Sequence, residues 1–338
     1  MDTQGALRAR WSAQLLGGSG LTPTQVVDRA VALQGQDLPA VLRAIALRSA
    51  PGTTIADVRG AFDRGELVRS WPMRGTLFAT TPAHLAALLG LTAERIRAQT
   101  ARRRQQLGLD EGVLARARGI LEPALAERPR TRAELLALWQ ADGIDTSAGR
   151  GYHLLFHHAV GGLAHWGAFA GDEQLFTATA APAPAGDDAL VDIARRYVAA
   201  RGPVTEADLA WWLKLPKTQV RRAAASADLE VVDVGGAPHV ASAPADPGDT
   251  GVTLVPGFDE WILGYADRAL TASPAAQAAL VPGGNGVFRP AVLLDGRVVG
   301  TWRGRAAGRP DPSLELVERV GAEDRRRIEA ALAAWPHG

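Results

Sequence analysis

Residues 205–242 read TEADLAWWLKLPKTQVRRAAASADLEVVDVGGAPHVAS, and this stretch decides the fold. Thr205 is a good helix N-cap, and Asp208 places a carboxylate in the first turn of an apolar helix. Pro216 stops that helix and opens a second, where a proline near the start costs nothing. Two alternating apolar runs then flank Gly235-Gly236, the signature of a hairpin. Just upstream, ALVDIARRYVAAR (189–201) carries apolar residues at helical spacing and ends at Gly202-Pro203. Helix, helix, tight turn, helix, hairpin is the order of a winged helix.

Two more segments repeat that order without repeating its sequence. GVLARARGILEPALAER (112–128), the Thr131-capped TRAELLALWQADG (131–143), GRGYHLLFHHAVGGLAHWG (149–167) and EQLFTAT (173–179) give three helices and two wing strands. Nearer the N-terminus, TPTQVVDRAVAL (22–33), PAVLRAIALRS (39–49) and TTIADVRGAFDRG (53–65) read as helices, and ELVRSWPMRGTLFAT (66–80) as a hairpin bent around Pro72 and Gly75. A Pro/Gly/Asp linker near Pro244–Gly251 ends the pattern. Beyond it, GVTLVPGFDEWILGY starts strand-like, GVFRPAVLLDGRVVGTWRG contains the hairpin signal Asp295-Gly296, and AEDRRRIEAALAAW is a final helix. The expected class is α+β: winged helices over 1–110, 111–182 and 187–243, followed by a β-barrel-like domain over 250–338.

Composition narrows the function. No run approaches eighteen apolar residues, so no membrane partner is indicated. The N-terminus MDTQGALRAR lacks a secretory pattern. Cysteine is absent, which excludes disulfides, thiol catalysis and thiolate metal sites and suits the cytoplasm. Net charge is only +1. It is unevenly spread, with Arg95, Arg97, Arg102, Arg103 and Arg104 in the N-terminal third and acidic segments near 180–190 and 243–250. Lys214 and Lys217 are the only lysines, and the planar guanidinium suits phosphate better than an ammonium does.

Within VALQGQDLPA (31–40), Gln34 and Gln36 stand where an ordinary helix would continue. Gly35 weakens a helix, and Pro39 pushes Leu38 out of helical space. In extended chain, residues two apart share a face, so both amides can converge. Amides are poor general bases, but they can hold a water and turn carbonyl oxygens toward developing positive charge. Capping of the helix end is the bland alternative.

LQGQD, LVRSWPMRGTLFATTP, RGPVTEADLAWWL, LVPGFDEWILGYADR and NGVFRPAVLLDGRVVGTWRG, in that order along essentially the whole chain, resemble the AlkZ/YcaQ family of winged-helix proteins. The resemblance implies a C-shaped monomer of three winged helices and a β-barrel-like domain that embraces double-stranded DNA carrying alkylated bases. It also implies a cytoplasmic, nucleoid-associated protein. Characterised members are monofunctional DNA glycosylases that remove N7-alkylated guanines and unhook interstrand crosslinks, in base excision repair or in self-resistance to alkylating antibiotics. One branch uses Gln-aliphatic-Gln as its catalytic motif, which maps onto Gln34 and Gln36. The other has aspartate at the second position. Gly35 departs from the bulkier residue usual between the glutamines, and Phe78 stands where many relatives have histidine. N7-alkylguanine is already cationic, so its glycosidic bond breaks with electrostatic support and a positioned water, and neither metal nor cofactor is needed.

Other features are weaker. His153, His157, His158 and His165 lack an HExxH pattern or a nearby carboxylate at ligand spacing. Arg150, His157 and His158 are instead candidate DNA contacts, as are Arg69 and Arg74 on the first hairpin. Lys217, Arg221 and Arg222 join them on the third helix of the last winged unit. Asp37, Trp71 and Asp259 are candidate walls of the active cleft, although an acid near Arg268 is more often a structural ion pair. A non-catalytic winged-helix DNA-binding protein, or a drug-sequestering protein, remains an alternative reading of the residues alone.

Overall fold

The computed structural model describes residues 1–179, 185–241, 250–305 and 311–336. Residues 242–249, at the expected linker, and 180–184 of the acidic segment lie outside the described residues. Contacts divide the chain into two units, Met1–Thr53 with Val191–Gly338, and Thr54–Leu190.

The first unit begins with α1 (Thr3–Ala13), α2 (Pro23–Ala30), the short strand β1 (Ala32–Gln34) and α3 (Leu38–Arg48). The second comprises α4 (Ile55–Asp63), β2 (Val68–Met73), β3 (Thr76–Thr80), α5 (Pro82–Gln106), α6 (Glu111–Glu127), α7 (Arg132–Ala141), α8 (Arg150–Val160), β4 (Ala164–Ala170) and β5 (Glu173–Ala178). The chain returns to the first unit along α9 (Asp187–Arg201). There follow α10 (Glu206–Leu213), α11 (Lys217–Ser226), β6 (Glu230–Val234), β7 (Ala237–Ala241), β8 (Val252–Val255), α12 (Glu260–Leu263), α13 (Pro274–Leu280), β9 (Ala291–Leu294), β10 (Arg297–Arg303), β11 (Ser313–Leu316) and α14 (Ala322–Ala334). The fold is α+β. Among the described residues no helix is long and apolar enough to cross a membrane.

Local signals explain most boundaries. Thr22, Thr54, Thr131 and Thr205 each form a capping box with the residue three positions on, satisfying two orphan N–H groups at each helix start. Gly235-Gly236 and Asp295-Gly296 both take positive φ at the two turn positions, as tight hairpins require. Four helices were not anticipated, α1, α5, α12 and α13. In α1 the apolar stripe is short, and α5, the longest helix here at 25 residues, mixes a greasy first half with an arginine-rich second.

In the second unit, the antiparallel hairpins β2–β3 and β4–β5 join through Arg69 opposite Trp166. One core surrounds Leu121, Leu135, Trp139 and Phe176, and another Trp71, Phe156 and Val160. In the first unit, β8–β11 form a four-stranded antiparallel sheet ordered β11-β10-β9-β8. Among the described residues this sheet is open, with β8 and β11 at its edges, and corrects the expected β-barrel-like closure. Its faces are both covered. Ala291 and Leu293 pack with Leu7, Trp261 and Ala276, while Val292 and Leu294 meet Trp302, Ile328 and Leu332. That is why AVLL reads as a continuous apolar run rather than an alternating one. Helix α14 supplies the second cover, and a lone four-stranded sheet so covered has no need to close on itself.

Gly300 sits where β11 crosses closely, and a Cβ there would lie 2.3 Å from the Glu315 carbonyl oxygen. Backbone cannot yield as a side-chain end can, so Gly300→Val is expected to destabilise the protein by at least about 2 kcal/mol, read as a lowered denaturation midpoint. A variant as stable as the parent would show that the β10–β11 approach is loose.

Candidate functional site

Helix α2 stops at Ala30, three residues short of the predicted 22–33 helix. The cause is visible in the backbone: Val31 adopts φ 65° and ψ −52°. Positive φ is a genuine outlier for a β-branched residue and stores strain. Beyond it the chain runs extended through Ala32–Gln34 and then bends at Gln36 into α3. The glutamines therefore sit on a non-helical segment, as expected, but in different environments. Gln34 is 6% exposed, whereas Gln36 is exposed. Asp37 caps α3 by accepting the Ala40 N–H at 2.9 Å.

Two buried ion pairs lie behind this segment. Arg201, at the end of α9, is 1% exposed on its side chain and Glu260, at the start of α12, is 2% exposed. Arg201 donates from Nε (3.0 Å) and Nη2 (2.9 Å) to Glu260 Oε2. The same guanidinium reaches the carbonyls of Ala30 at 3.0 Å and Ala32 at 2.8 Å, on either side of Val31. Glu260 Oε1 in turn accepts the backbone N–H of Gln34 at 3.0 Å. Trp212 donates its indole N–H to Glu260 Oε2 at 3.3 Å, and its ring and that of Tyr197 pack 4.5 and 5.1 Å from the guanidinium carbon. One ion pair thus grips Ala30, Ala32 and Gln34.

The second pair is Arg48 with Asp259, bidentate at 2.7 and 2.9 Å. Asp259 also caps α12 through the Trp261 N–H. Asp259, a candidate cleft wall, is therefore a buried structural acid, and its partner is Arg48 rather than the neighbouring Arg268, which donates to the Ile262 carbonyl. Gln14 bridges the two pairs. Its Oε1 accepts from Arg48 at 3.2 Å, and its Nε2 donates to the Glu260 backbone carbonyl at 3.4 Å and the Tyr265 hydroxyl at 2.9 Å. The gap left among Gln14, Leu33, Arg48, Arg201 and Glu260 is about 10 Å³, barely enough for one water. This layer supports the glutamine segment and admits no substrate.

The remaining candidates separate by exposure. Lys217, Arg221 and Arg222 are all exposed on α11, with Arg221 paired to Glu206 at 3.0 Å. Arg69 is only 9% exposed, its guanidinium 5.1 Å above Trp166. Arg74 turns the β2–β3 hairpin at φ 54° and lies over Phe78. Trp71, expected at a cleft wall, is 1% exposed in the core of the second unit, packed on Tyr152, Phe156 and Trp166. Phe78 is fully buried. Arg150 holds the start of α8 through Asp145 and the Leu107 carbonyl. Burial, reinforced by neighbouring arginines, lowers His157 to about 3 and His158 to about 4, so neither carries a charge for phosphate at neutral pH. Among the described residues no three His, Asp or Glu side chains gather as a metal site would require.

Arg48 and Arg201 escaped the sequence reading. Arg48 shares α3 with Arg43, and Arg201 shares α9 with Arg195 and Arg196, so nothing local marks either one, and the partners stand 211 and 59 residues away.

Comparison with known proteins covers nearly the whole chain. Residues 27–336 match the family described as DNA glycosylase AlkZ-like. A relative, the interstrand DNA cross-link repair glycosylase of Streptomyces sahachiroi, is 27% identical over 306 residues, spanning 82% of this chain and 81% of its own. The solved structure of Streptomyces sahachiroi DNA glycosylase AlkZ has a similar fold, with a TM-score of 0.80 at 23% identity over 98% of this chain and 96% of that one.

Two outcomes follow. Glu260→Leu or Arg201→Met alone leaves a bare buried charge and is expected to cost about 3–5 kcal/mol, whereas the two together should cost well below the sum of the singles. Urea denaturation of the cycle checks this, and additive losses would deny the coupling. The second outcome concerns pH. His157, His158 and His165 are lowered to about 3, 4 and 4, chiefly by burial. Below about pH 6.5 the unfolded chain binds protons that the folded chain refuses, so stability is full above that pH and falls as pH drops toward 4. The slope is at most about 1.4 kcal/mol per pH unit per histidine. Thermal melts from pH 7 to 5 should show it, and a flat profile would contradict it.

Proposed function

The chain belongs to the AlkZ-like DNA glycosylase family, and from that membership we propose that it hydrolyses the N-glycosidic bond of N7-alkylated guanine in double-stranded DNA, acting as a monofunctional enzyme. Bulky N7 adducts and interstrand crosslinks fall within the same chemistry, and the relative from Streptomyces sahachiroi is named for crosslink repair. The observation that carries the reading is the glutamine segment itself: Gln34 and Gln36 on strained, non-helical chain, tied through backbone to a buried ion pair.

The division of labour follows from the two environments. Gln34, shielded from solvent, offers a fixed amide dipole toward the sugar as it gains positive charge. Gln36, exposed, positions the attacking water. Neither group must lose a proton, and the cationic base needs none before it leaves. Preorganised dipoles of this kind act without reorganisation cost at the moment of reaction.

In this reading the α9–α10–α11 bundle with hairpin β6–β7 is a winged helix, and the exposed Lys217, Arg221 and Arg222 on α11 meet DNA phosphates. The parallel arrangements in 1–110 and 111–182 are the other two winged helices, and 250–338 is the fourth module. Arg74, Arg150 and His157 would serve the second unit's contribution to the DNA surface, His157 as a neutral hydrogen-bonding group, whereas Arg69 at 9% and His158 at 2% exposed are buried and drop out of that surface. A monomer acting in the cytoplasm suits this reading.

The test is release of free base from a duplex holding a single N7-methylguanine. Wild-type protein is expected to excise it, with Gln34→Ala and Gln36→Ala each slower by about 10²–10³-fold, the usual loss for one preorganised donor or dipole. Equal rates in parent and variants would remove the glutamines from the chemistry. Binding without any release from methylated or bulky N7 substrates would favour the non-catalytic DNA-binding reading.

A further inference from the structure

One residue past Gln36 a cleft opens in the first unit. Its walls are the first turns of α3, the Pro256–Phe258 loop before α12, the Val287–Pro290 segment before β9, and the end of β10 through Arg305, with Trp335 at the end of α14. Its volume is about 730 Å³, inside the range of about 300–1,000 Å³ typical of ligand sites. None of the ion-pair residues described above lines it.

The lining is unusual in charge and shape. Arg43, Arg289, Arg303 and Arg305 face it with Asp37 as the lone carboxylate. Arg303 and Arg305 are exposed, while Arg289 is drawn toward Glu315 at 3.4 Å. Interleaved with them are aromatic rings. Phe258 is half-buried and lies 6.0 Å from Phe288. Trp335 is half-buried too, edge-on to Trp302 at 4.7 Å, with the Arg43 guanidinium 5.9 Å from its ring. Phe258 is held at φ 57°, a conformation costly for an aromatic residue. That backbone turn sits directly before Asp259, whose buried pairing with Arg48 fixes the loop from behind. Val287 at the rim is 55% exposed.

Guanidinium groups alternating with ring faces suit a ligand that is both polyanionic and planar, which is the chemistry of an unpaired nucleic-acid strand. A purely apolar adduct would leave the arginines unanswered, and a bare anion would leave the rings so. Resting on the glycosylase reading, we propose that this cleft binds an unpaired segment of the DNA strand, with phosphates at Arg303 and Arg305 and a base against the Phe258 side. Strand separation next to a lesion would then be stabilised beside Gln36 by contacts that read no sequence.

The experiment uses the full chain and an unmodified oligothymidylate of about eight nucleotides, which contains no purine to excise. Binding is followed by tryptophan fluorescence across a salt series. Wild-type protein is expected to bind with a steep salt dependence. Arg303→Ala and Arg305→Ala should each flatten the slope of log K against log salt by about 0.7. Phe258→Ala should weaken binding by about 5- to 150-fold with the slope unchanged, and Phe258→Leu, which preserves the packing, should weaken it as well. Arg326→Ala, an exposed arginine outside the cleft, should match wild type. Unchanged slopes in both arginine variants, or an equal loss in Arg326→Ala, would overturn the proposal, as would absence of binding. Excision failing while this binding persists would refute the glycosylase reading alone, and the reverse would refute the cleft alone.

Discussion

The first unit depends on one buried ion pair, Arg201 with Glu260. Removing two charges from water costs several kcal/mol apiece, and the cost is recovered only where geometry is good and remaining donors are met. Here it is. Arg201 spends its N–H groups on one carboxylate oxygen and two carbonyls, and Glu260 answers with its other oxygen to the Gln34 N–H. Three parts of the chain, β1, α9 and α12, are thereby fixed to one another. The strained Val31 turn lies inside the grip, with both neighbouring carbonyls held by a single guanidinium.

The adjacent acid repeats the device. Asp259 takes Arg48 from the end of α3 and Glu260 takes Arg201 from the end of α9, so both helices are anchored to consecutive residues at the start of α12. An amide that must act by its dipole gains from such anchoring more than an acid or base would. A misplaced carboxylate still attracts a cation at a distance, whereas a dipole's effect falls steeply with distance and angle. On the proposed reading, rigid backing for Gln34, with room left before Gln36, is the arrangement that dipole chemistry calls for.

Much of the architecture was legible because its signals are local. Threonine caps, Pro216, Gly235-Gly236 and Asp295-Gly296 act through their own backbone neighbours, so the helix and hairpin order over 112–179 and 205–241 could be read directly. The extended character of the glutamine segment was also legible, from Gly35, but Pro39 does not hold Leu38 out of helical space: Leu38 opens α3, where a proline in the first turn is tolerated. The mechanism of the extension was not legible: the helix before the segment ends through a positive φ at Val31, which nothing about valine announces. Closure of the C-terminal strands was misjudged for a related reason. Short strands at regular spacing fit either a barrel or an open sheet, and only the cover provided by α14 on one face and α1 with α13 on the other distinguishes them.

Sequence by itself determined the elements, their caps and turns, the absence of thiol chemistry, and the pair of amides set in non-helical chain, since each is a matter of residues within a few positions of one another. Tertiary structure alone decided which arginine meets which acid, that Trp71 is core, that His157 and His158 are neutral, and that four arginines and several rings converge beside Gln36. Those outcomes depend on burial and on partners tens to hundreds of residues apart, and the free energy of an ionisable group is set by what surrounds it rather than by what precedes it in the chain.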